Sequence, residues 1–323
     1  MSAYSLSELA CKVCTELFQE VCFKPKFLNE CGRRTCVLVG RGVTGISQKY
    51  VLKFFCEPPI EQRVALERLV LSSLSNEKFQ TPSLLAETEL SESLTKNSFG
   101  FQYVQLWDFV EARQDVAVSS ELCFQLGRAA AAIHTSNVVG RERRSVIGLR
   151  HTMSLNSVDE EFFRKYLPDS EMLSLKKVLE CRRFENGGGQ RTRSYLLHGD
   201  YHIGNIGVTE VNGIAIFDWE HVALGDREVD VAAFLMSVID LCDWRVLLEN
   251  FLSGYYTSST APSKLNANAL QRLYSERALF NMHYFHSSTN KFISPTKSAK
   301  IWIDMLAALS AFSFHQETIF ELL

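Results

Sequence analysis

The sequence predicts an α+β fold in two parts, a small N-terminal β-sheet with one key helix and a larger, mainly helical C-terminal part. Short apolar strands such as Tyr50–Phe55 and Phe101–Glu111 occupy the first third of the chain. Helical periodicity dominates the segment Val231–Leu323, which offers few strand signals. Between the two lies the stretch Leu196–Asp230, where short apolar strands alternate with acidic and amide side chains.

The composition excludes several classes of protein. The 323 residues are 46% hydrophobic and 22% charged with a net charge of −3, which fits a globular protein with a sizeable core. A near-neutral charge argues against a general nucleic-acid binder. Apolar runs stay well short of the roughly 20 residues that cross a bilayer, and we expect no signal peptide. Nine scattered cysteines favour a reducing compartment, so we expect a cytoplasmic protein.

An amphipathic helix is predicted over residues 5 to 22. Its apolar positions recur at helical spacing, at Leu9, Val13, Leu17 and Val21. Cys11 and Cys14 form a lone CxxC pair in this helix, and a zinc site would need a second pair of ligands nearby. We therefore interpret both cysteines as small packing residues.

Glycine-bearing turns separate the strands that follow. The predicted strands are Phe27-Leu28, Cys36–Val39 and Tyr50–Phe55. One turn runs from Cys31 to Thr35 and the other from Gly40 to Ser47. Neither turn matches the GxGxxG pattern of phosphate loops, and a plain hairpin turn is the alternative for each.

Two helices flank the central stretch. The segment Ser119–Thr135 has a helical apolar pattern, and His134 near its end is expected to be a hydrogen-bonded structural residue rather than a catalyst. A second helix follows Asp226, whose carboxylate can cap it, with Asp230 one turn inside.

The central stretch predicts a β-hairpin. Its expected parts are the strand Ile206–Val211, the turn Asn212-Gly213 and the strand Ile214–Phe217. Asn-Gly is a strong signal for a two-residue type I′ turn, which would pair Val211 with Ile214.

Polar side chains gather at the open end of this hairpin. In the predicted register Asp218 lies opposite Gly207, close to Asn205, and Asp200 stands on the loop that leads in. Phosphoryl transfer from ATP needs a carboxylate that orients and deprotonates the acceptor hydroxyl, and oxygen ligands for magnesium on the phosphates. These three side chains supply that set. The alternatives are a hairpin with acidic ends and a kinase-like fold without activity.

Three motifs in this stretch resemble those of one family. The segment His198–Asn205, HGDYHIGN, resembles the HGDxxxxN loop of the aminoglycoside phosphotransferase and choline kinase family. The segment Ile216–Glu220, IFDWE, is similar to its IDWE segment, which takes the place of DFG in protein kinases. Gly225-Asp226 and Asp230 match the GDxxxD that follows.

That resemblance implies a bilobal protein-kinase-like fold, with a nucleotide-binding lobe over residues 1–107 and a catalytic and substrate-binding lobe over residues 108–323. It also implies that Asp200 is the catalytic base. Asn205 and Asp218 would be the magnesium ligands.

The resemblance also implies an ATP-contacting lysine. Lys53 stands in an otherwise apolar strand, YVLKFF, where an unpaired lysine is costly to bury, and this strand resembles the one that carries the family's lysine. Glu67, on the helix predicted over Ile60–Leu74, fits the glutamate that pairs with it. Glu61 is the competitor, and an exposed helix charge is the alternative for either glutamate.

Nucleotide contacts are implied at two further places. In kinase-like lobes the loop that covers the phosphates joins the first two strands, which selects Gly32 to Thr35, whereas Gly45 suits the next turn. The segment Leu106–Ala112 resembles the family's hinge, with alanine in place of the usual glycine. Backbone groups near Asp108 and Val110 would then hold the adenine edge.

We therefore expect an ATP- and Mg²⁺-dependent kinase that phosphorylates a hydroxyl of a small molecule. Residues 262 to 323 hold six Lys or Arg against four Asp or Glu, which gives no support for a polycationic antibiotic as the acceptor. A protein kinase is disfavoured because IFDWE replaces DFG and no APE segment follows. A silent nucleotide-binding regulator is disfavoured because the candidate catalytic residues are all present.

Overall fold

The computed structural model describes most of the chain. The described residues are 5–18, 22–31, 34–43, 46–56, 67–74 without 69 and 73, 79–95, 100–114, 116–136, 195–210, 213–257, 264–286, and 311–323 without 313. Among them, no helix is long and apolar enough to span a membrane.

The elements alternate first between strands and helices and then become mainly helical. The helices are α1 (Leu6–Phe18), α2 (Glu92–Thr95), α3 (Ser120–Thr135), α4 (Glu228–Val238), α5 (Trp244–Thr257) and α6 (Ala267–His286). The strands are β1 (Cys22–Cys31), β2 (Arg34–Val43), β3 (Ile46–Phe55), β4 (Phe79–Gln80), β5 (Leu84–Glu89), β6 (Tyr103–Asp108), β7 (Tyr195–Leu197), β8 (Ile206–Val208), β9 (Ile214–Ile216) and β10 (Ala223–Gly225). The described residues between 67 and 74 are also helical.

The N-terminal sheet has five antiparallel strands in the order β1-β2-β3-β6-β5. Its inner face buries Leu52 and Phe54 of β3 against Leu9 and Val13 of α1. Strand β6 lies inside the sheet, because β3 pairs with one of its edges and β5 with the other. The segment that forms β5 was not among the predicted strands.

The predicted N-terminal helix is too long at its C-terminal end. It ends at Phe18, and Cys22 already belongs to β1. Strand β1 pairs with β2 along most of its length, so tertiary pairing overrides the helical periodicity that continues to Val21. The two predicted turns are shorter than expected, because the strands extend to within two residues of each other at 32–33 and at 44–45.

The C-terminal part is built on two closely approaching helices, α3 and α5. A Cβ atom added at Gly127 of α3 would lie 1.9 Å from the carbonyl oxygen of Phe251 of α5. Glycine is therefore required where these helix backbones meet. The predicted helix start is confirmed, since the Ser119 hydroxyl caps α3 by accepting from the Leu122 N–H at 3.2 Å.

Two small sheets sit on this helical core. One has the order β4-β9-β8 and the other pairs β7 with β10. Strand β4 runs parallel to β9, and Phe79 of β4 stacks on Trp219 with ring centroids 6.3 Å apart. Strand β4, which follows the helical residues 67–74, is thus paired with the hairpin β8–β9. The boundary expected after residue 107 stays a prediction.

Candidate active site

The catalytic hairpin has a different register from the predicted one. Ile214 pairs with Val208, so the predicted pairing of Ile214 with Val211 is wrong. The reason is Thr209, whose N–H donates to the Gly213 carbonyl at 2.9 Å and whose hydroxyl accepts from the Gly213 N–H at 3.1 Å. These bonds close a wider loop than an Asn-Gly turn alone would form.

The observed register brings the two candidate metal ligands closer together than predicted. The Phe217 N–H donates to the Asn205 carbonyl at 2.9 Å, so Asp218, the next residue, stands beside Asn205 across the open end of the hairpin. Asp218 has left-handed backbone angles, φ 62° and ψ 58°. Asp and Asn are among the few residues that tolerate this conformation.

Asp200, the predicted base, is held on both oxygens. Asn205 Nδ2 donates to the Asp200 carbonyl at 2.9 Å and to Oδ2 at 3.0 Å. Nε2 of His202 lies 3.4 Å from Oδ2, and the Arg277 guanidinium of α6 forms an ion pair with Oδ1. Burial raises the pKa of Asp200, but the His202 hydrogen bond and the Arg277 charge outweigh it and hold that pKa well below its usual range.

Asp230 braces the loop that carries Asp200. Its Oδ2 accepts from the His198 backbone N–H at 2.9 Å, and its Oδ1 accepts from the Gly199 N–H at 2.8 Å. His134 Nε2 lies 3.1 Å from Oδ2, while Tyr255 Oη lies 2.7 Å from His134 Nδ1. Burial raises the pKa of Asp230, but its hydrogen bonds reverse that effect and the net shift is downward. His134 is confirmed as a structural, hydrogen-bonded residue.

His198 ties the catalytic loop to the hairpin. Its Nε2 donates to the Phe217 carbonyl at 2.8 Å, and its Nδ1 accepts from the Asp200 N–H at 3.2 Å. Burial lowers the pKa of His198, which suits this neutral ring with one donor and one acceptor. The imidazole therefore fixes the positions of Asp200 and Asp218 relative to each other.

The turn of the loop requires a glycine. Gly199 has φ 82°, and a Cβ atom there would lie 2.0 Å from the His221 carbonyl oxygen. Any L side chain would both strain the backbone and collide with the segment after Asp218.

The predicted cap at Asp226 is wrong. Helix α4 begins at Glu228 and has no side-chain cap among the described residues. The carboxylate of Asp226 instead lies 3.6 Å from Arg272 of α6, because the helix starts two residues beyond it. Helix α6 thus contacts both Asp226, which precedes α4, and, through Arg277, the predicted base Asp200.

Lys53 faces an aromatic ring on the nucleotide side. Its Nζ lies 4.5 Å from the centroid of the Trp107 ring, a cation–π contact. Glu67 is buried, with 6% of its surface exposed. No ion pair joins Lys53 to Glu67 among the described contacts, so their pairing stays a prediction.

The two hinge residues differ in what their backbones contact. The Asp108 N–H donates to the Ser83 carbonyl at 3.0 Å, and the Asp108 carboxylate accepts from the Ser83 N–H. Burial raises the pKa of Asp108. Within the described part of the chain, the Val110 N–H donates no backbone–backbone hydrogen bond, and its contact with the adenine edge stays a prediction.

Several residues named in the sequence-based predictions lie outside the described residues, namely Val21, Gly32, Gly45, Glu61, Val211 and Asn212.

The donor set of the hairpin end fits a magnesium ion that is shared with phosphates. Asn205 donates through Nδ2 to Asp200, which leaves its Oδ1 without a protein partner among the described residues. No cluster of three or more His, Cys, Asp or Glu side chains suited to a metal occurs in the described stretches. Mg²⁺ is commonly held by one or two protein oxygens together with substrate phosphates and water, which is what Asn205 and Asp218 can offer.

Several solved structures with the same fold are small-molecule kinases. Spectinomycin phosphotransferase in complex with ADP and spectinomycin has a TM-score of 0.69 at 15% identity, over 95% of this chain and 98% of that chain. The amicoumacin kinase in complex with AMP-PNP and Ca²⁺ has a TM-score of 0.66 at 12% identity, over 95% and 94%. A microcompartment-associated aminopropanol kinase has 0.66 at 16% identity, over 91% and 93%. The bilobal kinase-like fold is thereby confirmed.

The sequence itself carries the family signature. No curated protein matches the chain significantly. The sequence model of the phosphotransferase enzyme family, APH, matches residues 37–266, which is more than half of the chain and includes the whole catalytic loop and hairpin. The chain belongs to the APH phosphotransferase enzyme family.

Proposed function

We propose that this protein transfers the γ-phosphoryl group of ATP to a hydroxyl of a small molecule. One observation carries the proposal. Asp200 and Asn205 are hydrogen-bonded at 3.0 Å, at the end of a hairpin whose return strand leads into Asp218. This arrangement supports a role for Asp200 as the base, beside two oxygen ligands suited to magnesium.

Asp200 would orient the acceptor hydroxyl and receive its proton. The acceptor oxygen forms a bond to the γ-phosphorus while the bond to the β,γ-bridging oxygen breaks, and ADP leaves with that electron pair. Asn205 Oδ1 and the Asp218 carboxylate would hold Mg²⁺, which neutralises charge on the phosphates when bound. The ion pair with Arg277 keeps Asp200 ionised and in place.

The nucleotide side would consist of five residues. Lys53 would contact the phosphates, Glu67 would orient Lys53, and the loop at Gly32 would cover the phosphates. The backbone at Val110, next to Asp108, would hold the adenine edge. The complexes of the similar kinases with ADP and AMP-PNP support a nucleotide in this cleft.

The similar kinases act on chemically different acceptors. Spectinomycin and aminopropanol each carry a hydroxyl and an amine on very different scaffolds, which supports the reaction class without naming this protein's acceptor. We also propose a cytoplasmic location, because the described cysteines are thiols rather than disulfides, at Cys11, Cys14, Cys56, Cys123 and Cys242.

The test is the variant Asp200→Ala, assayed for acceptor-dependent ATP consumption across sugars, amino alcohols, hydroxy acids, nucleosides and aminoglycosides. We expect turnover to fall by about 10²- to 10⁴-fold, because positioned acid–base groups contribute on that order, while Mg·ATP still binds. Glu249→Gln is the matched control, since that carboxylate lies in an exposed pair with Arg245 and should leave turnover unchanged. Turnover of Asp200→Ala at the wild-type rate would exclude this mechanism.

A further inference from the structure

The side chain of Arg277 forms an ion pair with the carboxylate of Asp200, the proposed base. It lies in α6, which follows Lys264–Asn266, and only 10% of its side chain is exposed. One terminal nitrogen, Nη2, pairs with Asp200 Oδ1, and the other, Nη1, donates to the Gly199 carbonyl at 3.3 Å. The guanidinium therefore lies against one carboxylate oxygen of Asp200, the proposed base for the acceptor hydroxyl.

The guanidinium retains binding capacity. It has five N–H donors, and the described contacts use two of them. A carboxylate offers about four lone-pair positions, so Asp200 can accept from an acceptor hydroxyl while Arg277 and Asn205 stay in place. The planar guanidinium presents parallel N–H donors near that hydroxyl. Such donors can bind a carboxylate or phosphate group that belongs to the same acceptor molecule.

The surrounding charges favour an anionic acceptor over a cationic one. Arg277 already neutralises Asp200, so an ammonium group gains little from that carboxylate. The carboxylates of Asp226 and Glu276 each lie 3.6 Å from Arg272, the other arginine of α6, so these two negative charges are also paired with a cation. An anionic acceptor would be repelled by Asp218 and the ATP phosphates, and it needs a cation near the reacting hydroxyl to offset that repulsion.

We propose that Arg277 is a specificity-determining residue that binds an oxyanion, carboxylate or phosphate, carried by the acceptor a few bonds from the hydroxyl that is phosphorylated. The inference rests on the proposed kinase function and narrows its acceptor class. It predicts that hydroxy acids or hydroxyalkyl phosphates are accepted, and that polycationic aminoglycosides are poor acceptors.

The test compares matched acceptors on the full-length protein. Glycerate, 4-hydroxybutyrate and glycerol 3-phosphate are set against glycerol and 1,4-butanediol as neutral counterparts, and 3-amino-1-propanol and spectinomycin as cationic ones. ATP consumption gives kcat and KM, and calorimetry gives the affinity of each compound for the Mg·AMP-PNP complex. Comparison of the carboxylate acceptors with the phosphate acceptor shows which of the two oxyanions is bound.

The variants are Arg277→Gln, Arg277→Lys and the matched control Arg272→Gln, which lies on the same helix without a described contact to Asp200. We expect wild-type kcat/KM to favour at least one anionic acceptor by tenfold or more over its neutral counterpart. Arg277→Gln should raise KM for that acceptor at least tenfold and abolish the preference, Arg277→Lys should restore part of it, and Arg272→Gln should preserve it.

Three results would overturn the inference. They are a wild-type preference for neutral or cationic acceptors, no binding or turnover of any anionic compound in the panel, and an Arg277→Gln variant that loses turnover equally on all acceptors with the preference intact. The proposed function fails separately, if wild-type protein does not bind Mg·ATP or if Asp200→Ala is fully active.

Discussion

The base of the catalytic loop and the nucleotide side of the cleft are built differently. At the loop base, Asp230 is fully buried and receives two backbone N–H groups and the His134 ring. On the nucleotide side, the described contact of Lys53 is the face of Trp107 at 4.5 Å. The base of the loop is a buried hydrogen-bond network around Asp230, whereas the described contact of Lys53 is a cation–π contact with Trp107.

This difference separates residues that are expected to stabilise the fold from residues that are proposed to bind the nucleotide. A buried carboxylate with several hydrogen bonds cannot be removed without leaving buried donors unpaired. A cation–π contact at a partly exposed lysine contributes only about 0.5–1 kcal/mol. Mutations in the two regions should therefore separate loss of stability from loss of nucleotide binding.

The largest effect is expected at the loop base. Asp230→Ala should lower the free energy of unfolding by about 3–5 kcal/mol, because the buried N–H groups of His198 and Gly199 and the His134 ring lose their hydrogen-bond partner. Urea unfolding of both proteins measures this. Asp243→Asn, at an exposed position, is the control and should stay within about 0.5 kcal/mol. A loss below about 1 kcal/mol for Asp230→Ala would contradict the bracing role.

The same carboxylate gives a pH dependence with a definite sign. The pKa of Asp230 is lowered in the folded protein, so its contribution is fully present above the unfolded pKa and is lost as pH falls through the folded pKa. The stability gap between wild type and Asp230→Ala should therefore be constant above about pH 5 and shrink below about pH 4. A gap that widens in acid would reverse the assigned direction.

A smaller effect on stability and a larger one on ligand binding are expected at Lys53. Lys53→Met keeps an apolar side chain beside Trp107 and removes the charge, so the free energy of unfolding should change by less than about 1 kcal/mol. ATP affinity should fall by about tenfold, because the proposed phosphate contact is lost. Lys49→Met, on the same strand with an exposed ion pair to Glu111, is the control. Unchanged ATP affinity in Lys53→Met would remove Lys53 from the site.

The sequence predicted that the candidate catalytic residues lie near one another because they are close along the chain. Asp200, Asn205 and Asp218 fall on one loop and one hairpin, so local rules bring them together even though the hairpin register was wrong. The register could not be read from Asn-Gly alone, because the Thr209 hydroxyl competes for the turn's backbone donor.

Long-range contacts left weaker signals in the sequence. Arg277 lies 77 positions from Asp200, and nothing in its helical surroundings distinguishes it from a solvated arginine. Strand β5, with the sequence LLAETE, shows no clean apolar alternation because it is half exposed at the sheet edge. Both features depend on tertiary pairing that no local pattern encodes.

The central claim is that the end of the hairpin holds the magnesium of a phosphotransferase, and the most direct measurement is calorimetry of ATP binding with magnesium and with a chelator. Asp218→Asn suits this test because asparagine tolerates the left-handed backbone at that position while the ligand charge is lost. We predict that ATP affinity in chelator is unchanged and that the gain on adding magnesium shrinks by about tenfold, or ~1.4 kcal/mol. An equal gain from magnesium in wild type and Asp218→Asn would contradict the assignment of this site.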